Sequence, residues 1–411
     1  MIELGSCDGG VDDAACKAYL QSARQLMTGA DLALFNTALR GEGEWKRLTP
    51  VAGAPVVDIQ TFLRATAFFP SGTLDGICGY RTTSAIRLFQ EYVRTTVPGM
   101  TDFLPDGIWG PKCAERAKQW PAGTKADWAQ WSATNPSPEC APWLKLLAQV
   151  KAKYVASPTP MLKKVDEFSK PTDTVKRAEW DFDPKKIHLI GIRRHEDMPK
   201  SENEQRFDDL FVLLIKGVAF TFFGSTEPGH TNVPAKGYPF LVIGQHRYRF
   251  GWHHVGDAQK IFQALKPATG AGVLVIRSQD LSLQDADLPA VLENAVDINV
   301  HWGGSVGAVV HGWSEGCQVI VGKAYIDHRG QLRNCAGFAA LNTDTLGTTT
   351  PKGVKLTKGA YTLLSDLATA LSGATPGDNI VHYMLIPEAD LALVPEARQK
   401  ATEALTLFGN T

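Results

Sequence analysis

Apolar positions divide the chain into an α-patterned first part and a β-patterned second part. Over residues 12–40 they recur at three- and four-residue spacing, the stripe of helices packed against a neighbour, with a break at Gly29. The same period returns at residues 57–63, 84–90, 113–117 and 142–155. From about Lys185 the period shortens to two and the runs become β-branched and aromatic. Strands are predicted at 187–192, 210–215, 218–223, 238–243, 248–252, 272–277, 297–301, 317–321 and 381–386, with Lys216-Gly217 as a short hairpin turn. Helical periodicity reappears at 257–265, 360–371 and 395–407. The pattern predicts an α+β multidomain chain whose C-terminal part is mostly β with peripheral helices.

Residues 51–120 contain an internal repeat. Asp75-Gly76-Ile77-Cys78-Gly79-Tyr80-Arg81 recurs, 31 residues on, as Asp106-Gly107-Ile108-Trp109-Gly110-Pro111-Lys112, and a helical pattern follows each copy. Asp-Gly predicts a tight turn and the isoleucine a core plug; the second glycine (Gly79, Gly110) predicts a backbone conformation closed to other residues. With Ile59-Gln60 and Leu63 upstream, and Arg81-Thr82, Ala85 and Phe89-Gln90 between the copies, the segment resembles the small three-helix peptidoglycan-binding domain attached to many bacterial wall enzymes. The resemblance implies a helical peptidoglycan-binding-like domain at 51–125. A helical segment at 1–50 would precede it and a connector at 126–184, punctuated by Pro158, Pro160 and Pro171, would follow.

Composition narrows the classes. The chain's 411 residues allow two or three cores, and 21% charged with 44% apolar residues is ordinary for a globular protein. A net charge of -1 gives no bulk attraction to nucleic acid or an anionic membrane, and no apolar run of about 18 residues predicts a membrane span. The opening MIELGSCDGG lacks the basic and apolar regions of an export signal, so synthesis in the cytoplasm is expected. Seven cysteines leave at least one unpaired and fit no zinc knuckle; Cys7/Cys16 and Cys78/Cys113 are open to bridging after export, buried free thiols being the alternative. No phosphate-binding loop or dinucleotide fingerprint occurs, and His253-His254 with His301 do not have zinc-site spacing. Neither a cofactor nor a metal is expected.

Candidate chemistry concentrates in DINVHWGGSVGAVVHGWSEGCQV, residues 297–319. His301 ends an apolar strand, and Cys317 follows sixteen residues later behind Ser314-Glu315-Gly316. A thiol attacks carbonyls as thiolate, so it needs a base, and glycine beside it frees backbone N–H groups for a developing oxyanion. His301 is the better-placed base and His311 its rival. Trp302 and Trp313 flank the pair as pocket walls, Arg277 could grip a substrate carboxylate through its fork, and Arg193, Asp208, Asp209 and Gln245 are further polar groups in strand context.

The order histidine, Ser314, Gly316, Cys317, with the hairpin ending Phe223-Gly224-Ser225-Thr226-Glu227-Pro228, resembles L,D-transpeptidase catalytic domains over roughly residues 185–325. The resemblance implies an L,D-transpeptidase-like domain at 185–411, with Cys317 as nucleophile and His301 as base. It also implies amides around Gly316 and Cys317 as oxyanion hole, and Ser314 as loop organiser. Glu315 stands where that family has a second histidine, and Gln318-Val319 departs from the usual sequence after the cysteine. Glu315 and Gln318 are then candidates for substrate contact. The expected function is L,D-carboxypeptidase or L,D-transpeptidase action on peptidoglycan stem peptides through a cysteine thioester. The enzyme would act in the periplasm or wall, as an antibacterial effector with an immunity or secretion-apparatus partner, or as a phage lysis enzyme. A noncatalytic wall-binding protein is the first rival. A metal-dependent or glycan-cleaving hydrolase, drawing carboxylates from Asp208, Glu227 or Asp297, is the second.

Overall fold

The computed structural model describes residues 1–11, 49–194, 207–229, 236–253, 262–279, 282–283, 291–304, 314–339, 357–373 and 377–409. The helices expected within 12–40 lie outside these residues. Short strands β1 (Ser6–Asp8) and β2 (Thr49–Val51) pair in parallel ahead of three helices, α1 (Pro55–Ala65), α2 (Tyr80–Thr96) and α3 (Pro111–Lys118). Ala54 gives α1 no side-chain cap; the Asp8 carboxylate accepts from Val56 and Val57 N–H instead, at 2.7 and 2.9 Å.

The repeat is one hydrogen-bond device used twice. Gln60 Nε2 donates to Asp75 Oδ1 (2.8 Å) and Ile77 O (3.0 Å), while its Oε1 accepts from Gly76 N (3.0 Å). Gln90 does the same with Asp106 Oδ1 (2.7 Å), Ile108 O (3.0 Å) and Gly107 N (2.8 Å). In each turn the aspartate also accepts from the N–H two residues on. The left-handed glycines are the first of each copy, Gly76 (φ 69) and Gly107 (φ 79). Gly79 and Gly110, expected to hold the special conformation, are ordinary extended residues at the helix N-caps (φ -83 and -98). Ile77 is buried, but Ile108 only partly so.

Aromatic edges fill the helical core: Phe62 on Phe89 at 5.3 Å, Phe68 on Trp128 at 5.2 Å, and Phe89 stacked on Trp109 at 5.4 Å. Ala126 N and Trp128 Nε1 bond Thr66 O and Ala67 O, so this core continues past the boundary expected at 125. Cys78 and Cys113 are free buried thiols, Cys78 beside Thr83 Oγ1 and Cys113 beside Gln90, so the bridge considered between them does not form. Cys16, the other proposed partner of Cys7, lies outside the described residues.

Connector helices α4 (Ala141–Ala156) and α5 (Pro160–Glu167) lead to β3 (Ile187–Arg193), β4 (Asp209–Ile215) and β5 (Val218–Ser225). Lys216 (φ 51) and Gly217 (φ 80) are both left-handed, the backbone of the tight hairpin turn whose twist suits flanking strands. Then come β6 (Tyr238–Leu241), β7 (Gly244–His253), β8 (Phe262–Pro267), β9 (Val273–Ser278), β10 (Glu293–Ala295), β11 (Val300–Trp302), β12 (Gln318–Ile326) and β13 (Leu332–Asn334). Helix α6 (Ala360–Leu371), β14 (Val381–Pro387) and α7 (Pro395–Gly409) end the chain. The order β11-β8-β7-β14-β3-β4-β5-β12, with β12 pairing back to β11, is a closed eight-stranded barrel; β13 extends it and β10-β9-β6 form a separate three-stranded sheet. The fold is α+β. Residues 262–265, expected in a helix at 257–265, are strand. Four apolar-rich residues fit either period, and antiparallel pairing with β7 decides it.

Barrel strands are buried on both faces, so their sequences read as nearly continuous apolar runs. Leu189, Phe211, Leu213, Tyr248, Val300, Trp302 and Tyr383 belong to the interior cluster; Ile190, Ile192, Leu210, Val212 and Met384 pack outward with residues of α4 and α7. Helix α6 is buried on all sides, against β4 and β12 on one flank and α2 on the other. Arg87 meets Asp366 of α6 through two nitrogens (2.8 and 2.6 Å), and Arg81 donates to the C-terminal carbonyls of Thr369 and Ser372. Among the described residues no helix is long and apolar enough to cross a membrane.

Removing Gln60 or Gln90 strands a buried glycine N–H, Gly76 N or Gly107 N, and takes one donor from the turn's aspartate. Each alanine variant is expected to lose roughly 1–3 kcal/mol in urea unfolding. His246 sets a pH limit. Its Nε2–H donates to Val242 O and its Nδ1 accepts from Thr174 Oγ1, a chain that fits only the neutral ring; burial pushes its pKa down to about 3. Both states are neutral above pH 6.5. Below it only the unfolded chain takes the proton, so stability falls by ~1.4 kcal/mol per unit as pH drops from 6.5 towards 3. Asp209, pushed up to about 6 by burial, works in the opposite direction, so the diagnostic is the difference from wild type: His246→Asn is expected to lose stability less steeply between pH 6.5 and 4.5.

Candidate functional site

The site lies where the barrel closes. β11 and β12 run parallel with Val300 opposite Gln318, His301 opposite Val319 and Trp302 opposite Ile320. One step earlier Gln318 N donates to Asn299 O (2.8 Å) and Asn299 N to Cys317 Sγ (3.4 Å), so Cys317 is level with Asn299. Alternation puts Val300, Trp302 and Ile320 in the barrel interior. Asn299, His301, Cys317 and Val319 therefore share the outer face. Cys317 and His301 are neighbours on adjacent strands, two positions apart, and are 8% and 3% exposed.

His301 is oriented by the residue after it. Its Nδ1 lies 2.8 Å from Trp302 O, and because a carbonyl only accepts, Nδ1 carries the proton and Nε2 keeps the lone pair. The His253 ring lies flat against His301, centroids 4.4 Å apart and planes 16° apart. Asn299 Nδ2 donates to His253 Nδ1 (3.2 Å).

Cys317 rests as a thiol. Its S–H donates to Asp297 O (3.2 Å), and burial pushes its pKa up to about 12; Asp297 and Glu315 add to the rise, while the Asn299 amide and Lys266 oppose it. The loop ahead of it is tightly tied. Gly316 N donates to Ser314 Oγ (3.1 Å), whose hydroxyl donates to Cys317 O (2.7 Å). Ser314 thus organises this loop, but the Gly316 amide, expected in an oxyanion hole, is already engaged. The Cys317 amide remains the candidate donor. Gly316 is needed for its backbone: φ is +126, and a Cβ would lie 2.6 Å from Pro239 Cγ and 2.7 Å from Pro239 O.

No known protein family, curated protein or solved structure matches this chain.

The other expected residues separate by location. Trp302 is fully buried under Lys358, whose Nζ lies 4.3 Å from its ring, so it is core and not a pocket wall. Gln318 is also inside the barrel: its Nε2 donates to Thr226 O and Gly316 O, and its Oε1 accepts from Tyr383, so it supports the loop and does not face substrate. Arg277 is paired with Glu293 (2.8 Å) and Gly237 O (2.9 Å) on the three-stranded sheet. Glu315 is exposed. Trp313, His311 and His254 lie outside the described residues, and among those described no three ligands gather as a metal site. Gln245 bonds the Asp181 backbone, away from β11.

Arg193 and Asp209 prove to be barrel anchors. Arg193 donates to Thr226 O and Leu241 O (both 3.0 Å), and Asp209 accepts from Thr226 N (2.6 Å), Thr226 Oγ1 (2.8 Å) and Arg194 N (2.7 Å). Together they hold the end of β5 against Gln318, the residue after Cys317. Asn299 and Lys266 were not singled out by sequence; Asp297 was considered only as a carboxylate for glycan cleavage, whereas its backbone carbonyl is what meets Cys317. The strand period offered a signal for Asn299, two residues before His301 and so on its face.

Gly316→Ala must displace the Pro239 backbone or move Cys317. It is expected to cost ~1–3 kcal/mol in urea unfolding and to raise the rate at which Cys317 reacts with a thiol reagent, followed by intact mass.

Proposed function

We propose that the protein is a cysteine acyl-transfer enzyme acting on peptidoglycan stem peptides, as an L,D-carboxypeptidase or L,D-transpeptidase. The observation carrying this reading is the β11–β12 pairing, which brings His301, with Nε2 as its basic nitrogen, and Cys317 to one face of adjacent strands. Cys317 Sγ attacks the amide carbonyl carbon as its proton passes to His301 Nε2. The C–N bond breaks, His301 returns the proton to the departing amine, and a thioester remains; water then gives carboxypeptidase action and an amine gives exchange. The paired glutamine latches support the wall-binding assignment of the helical unit, because they explain physically the repeat on which that resemblance rests. Delivery as an antibacterial effector, with an immunity or secretion-apparatus partner, remains part of the proposal.

The buried resting thiol favours a second reading, a noncatalytic wall-binding protein. Digestion of purified sacculi and muropeptides, followed by mass analysis, separates the two. Loss of terminal D-alanine, abolished by Cys317→Ala and lowered about 10²–10⁴-fold by His301→Ala, is the expected result. Binding to sacculi with no change in muropeptides would establish the second reading, and cleaved glycan would exclude both.

A further inference from the structure

His253 has a place in the site that its sequence context did not suggest. It belongs to β7, separated from β11 by β8, and the register shows how its ring reaches His301. Leu265 of β8 pairs with Val300, which puts Ala264 beside His301, and Ala264 pairs with Gly251 of β7. The row of His301 therefore carries only a methyl group on β8 and a glycine on β7, and His253 stands two positions beyond that glycine on the same face. Across that gap the rings lie 4.4 Å apart and nearly parallel.

Asn299 fixes the second ring. An amide nitrogen only donates, so its 3.2 Å contact makes His253 Nδ1 an acceptor and leaves that imidazole neutral with its proton on Nε2. The same asparagine gives its backbone N–H to Cys317 Sγ. One residue thus joins the thiol to the ring that lies on its base.

Resting on the reading of His301 as base, we propose that His253 is a positioning residue: its neutral ring holds the His301 imidazole in one orientation and stabilises the positive charge acquired with the thiol proton. The stack matters more once His301 is an imidazolium, because a cation over a neutral π face is attracted to it. Partly exposed His253 also covers His301, which is itself buried. Among the described residues, the charged or titratable groups around the pair include Cys317 with Glu315 ahead of β12, Asp297 ahead of β11, Lys266 and Arg249 in the neighbouring rows of β8 and β7, and buried Glu227 just past β5.

The test compares wild type with His253→Ala and His253→Phe, the latter keeping a flat neutral ring without the asparagine bond. Histidine-labelled protein is titrated by NMR to read the protonation of His301, and kcat and KM are measured on a stem peptide. Removing the ring is expected to lower the His301 pKa by about half to one unit and to lower kcat with little change in KM; Phe is expected to recover most of both. An unchanged His301 titration in folded His253→Ala would overturn the proposal. Failure of His253→Phe to recover the pKa would do the same, and it decides the matter if the alanine variant does not fold. The NMR readout needs no turnover. A shifted His301 pKa in a protein that leaves muropeptides intact would keep this inference and remove the enzymatic reading; turnover with no pKa shift would do the reverse.

Discussion

Three residue pairs between β11 and β12 close the barrel, and the same pairs build the candidate site. Adjacent parallel strands cannot be joined by a tight turn, so β12 has to find its register on β11 independently of a hairpin. Cys317 is where the chain comes back into register. Side chains alternate along a strand, so a one-residue slip here would send Cys317 into the barrel and Gln318 out. Several interactions oppose that slip: Gln318 bonds Tyr383 from inside, Ser314 ties the returning loop, and Pro239 leaves no room for a side chain at Gly316. Barrel closure and site geometry are therefore one constraint.

The helical unit reaches this seam through α6. Arg87 and Arg81 bind it to one flank of that helix, while Tyr361 near its start donates to Val300 O (3.1 Å) and Lys358 lies over Trp302. A fully buried helix with an ion pair on one side and strand contacts on the other has little freedom to slide. The unit that resembles a wall-binding module is thus fixed relative to His301 and does not hang on a loose tether. A polymer bound to the helical unit would meet the barrel in one defined orientation, which suits action on a fixed point of a repeating substrate.

The sequence showed most clearly what depends on local physics. The Lys216-Gly217 turn, the repeat and the end strands β3 and β14 were legible because period, turn chemistry and burial agree over short distances. β8 was not, because its apolar residues fit two periods and only its partner strands choose between them. The pairing of His301 and Cys317 could be anticipated as a spacing, but their shared face could not, since register is a tertiary property. Trp302 and Gln318 looked substrate-facing from their neighbours in sequence; each sits one position off the face that carries His301 and Cys317, and strand alternation takes it inside. Asn299 was obscured for the opposite reason, being unremarkable in sequence, and His253 was weighed with His301 only as a zinc ligand because their stacking arises only across the sheet.

The energetics of Cys317 constrain how the proposed chemistry would start. Burial pushes the Cys317 pKa up to about 12, so the sulfur rests as a thiol at pH 7 and not as a thiolate. The proton must instead move as the sulfur attacks, with His301 accepting it only in the transition state. Three features reduce that cost without charging the resting site. The Asn299 amide already donates to the sulfur, Lys266 favours its anion, and the stacked His253 ring favours the cation formed opposite. Each is worth little alone, but all act on the charge-separated state and hardly at all on the neutral one, which is the condition for lowering a barrier and not merely binding more tightly. A site arranged this way stays unreactive towards small electrophiles until a substrate displaces the Asp297 carbonyl from the thiol proton.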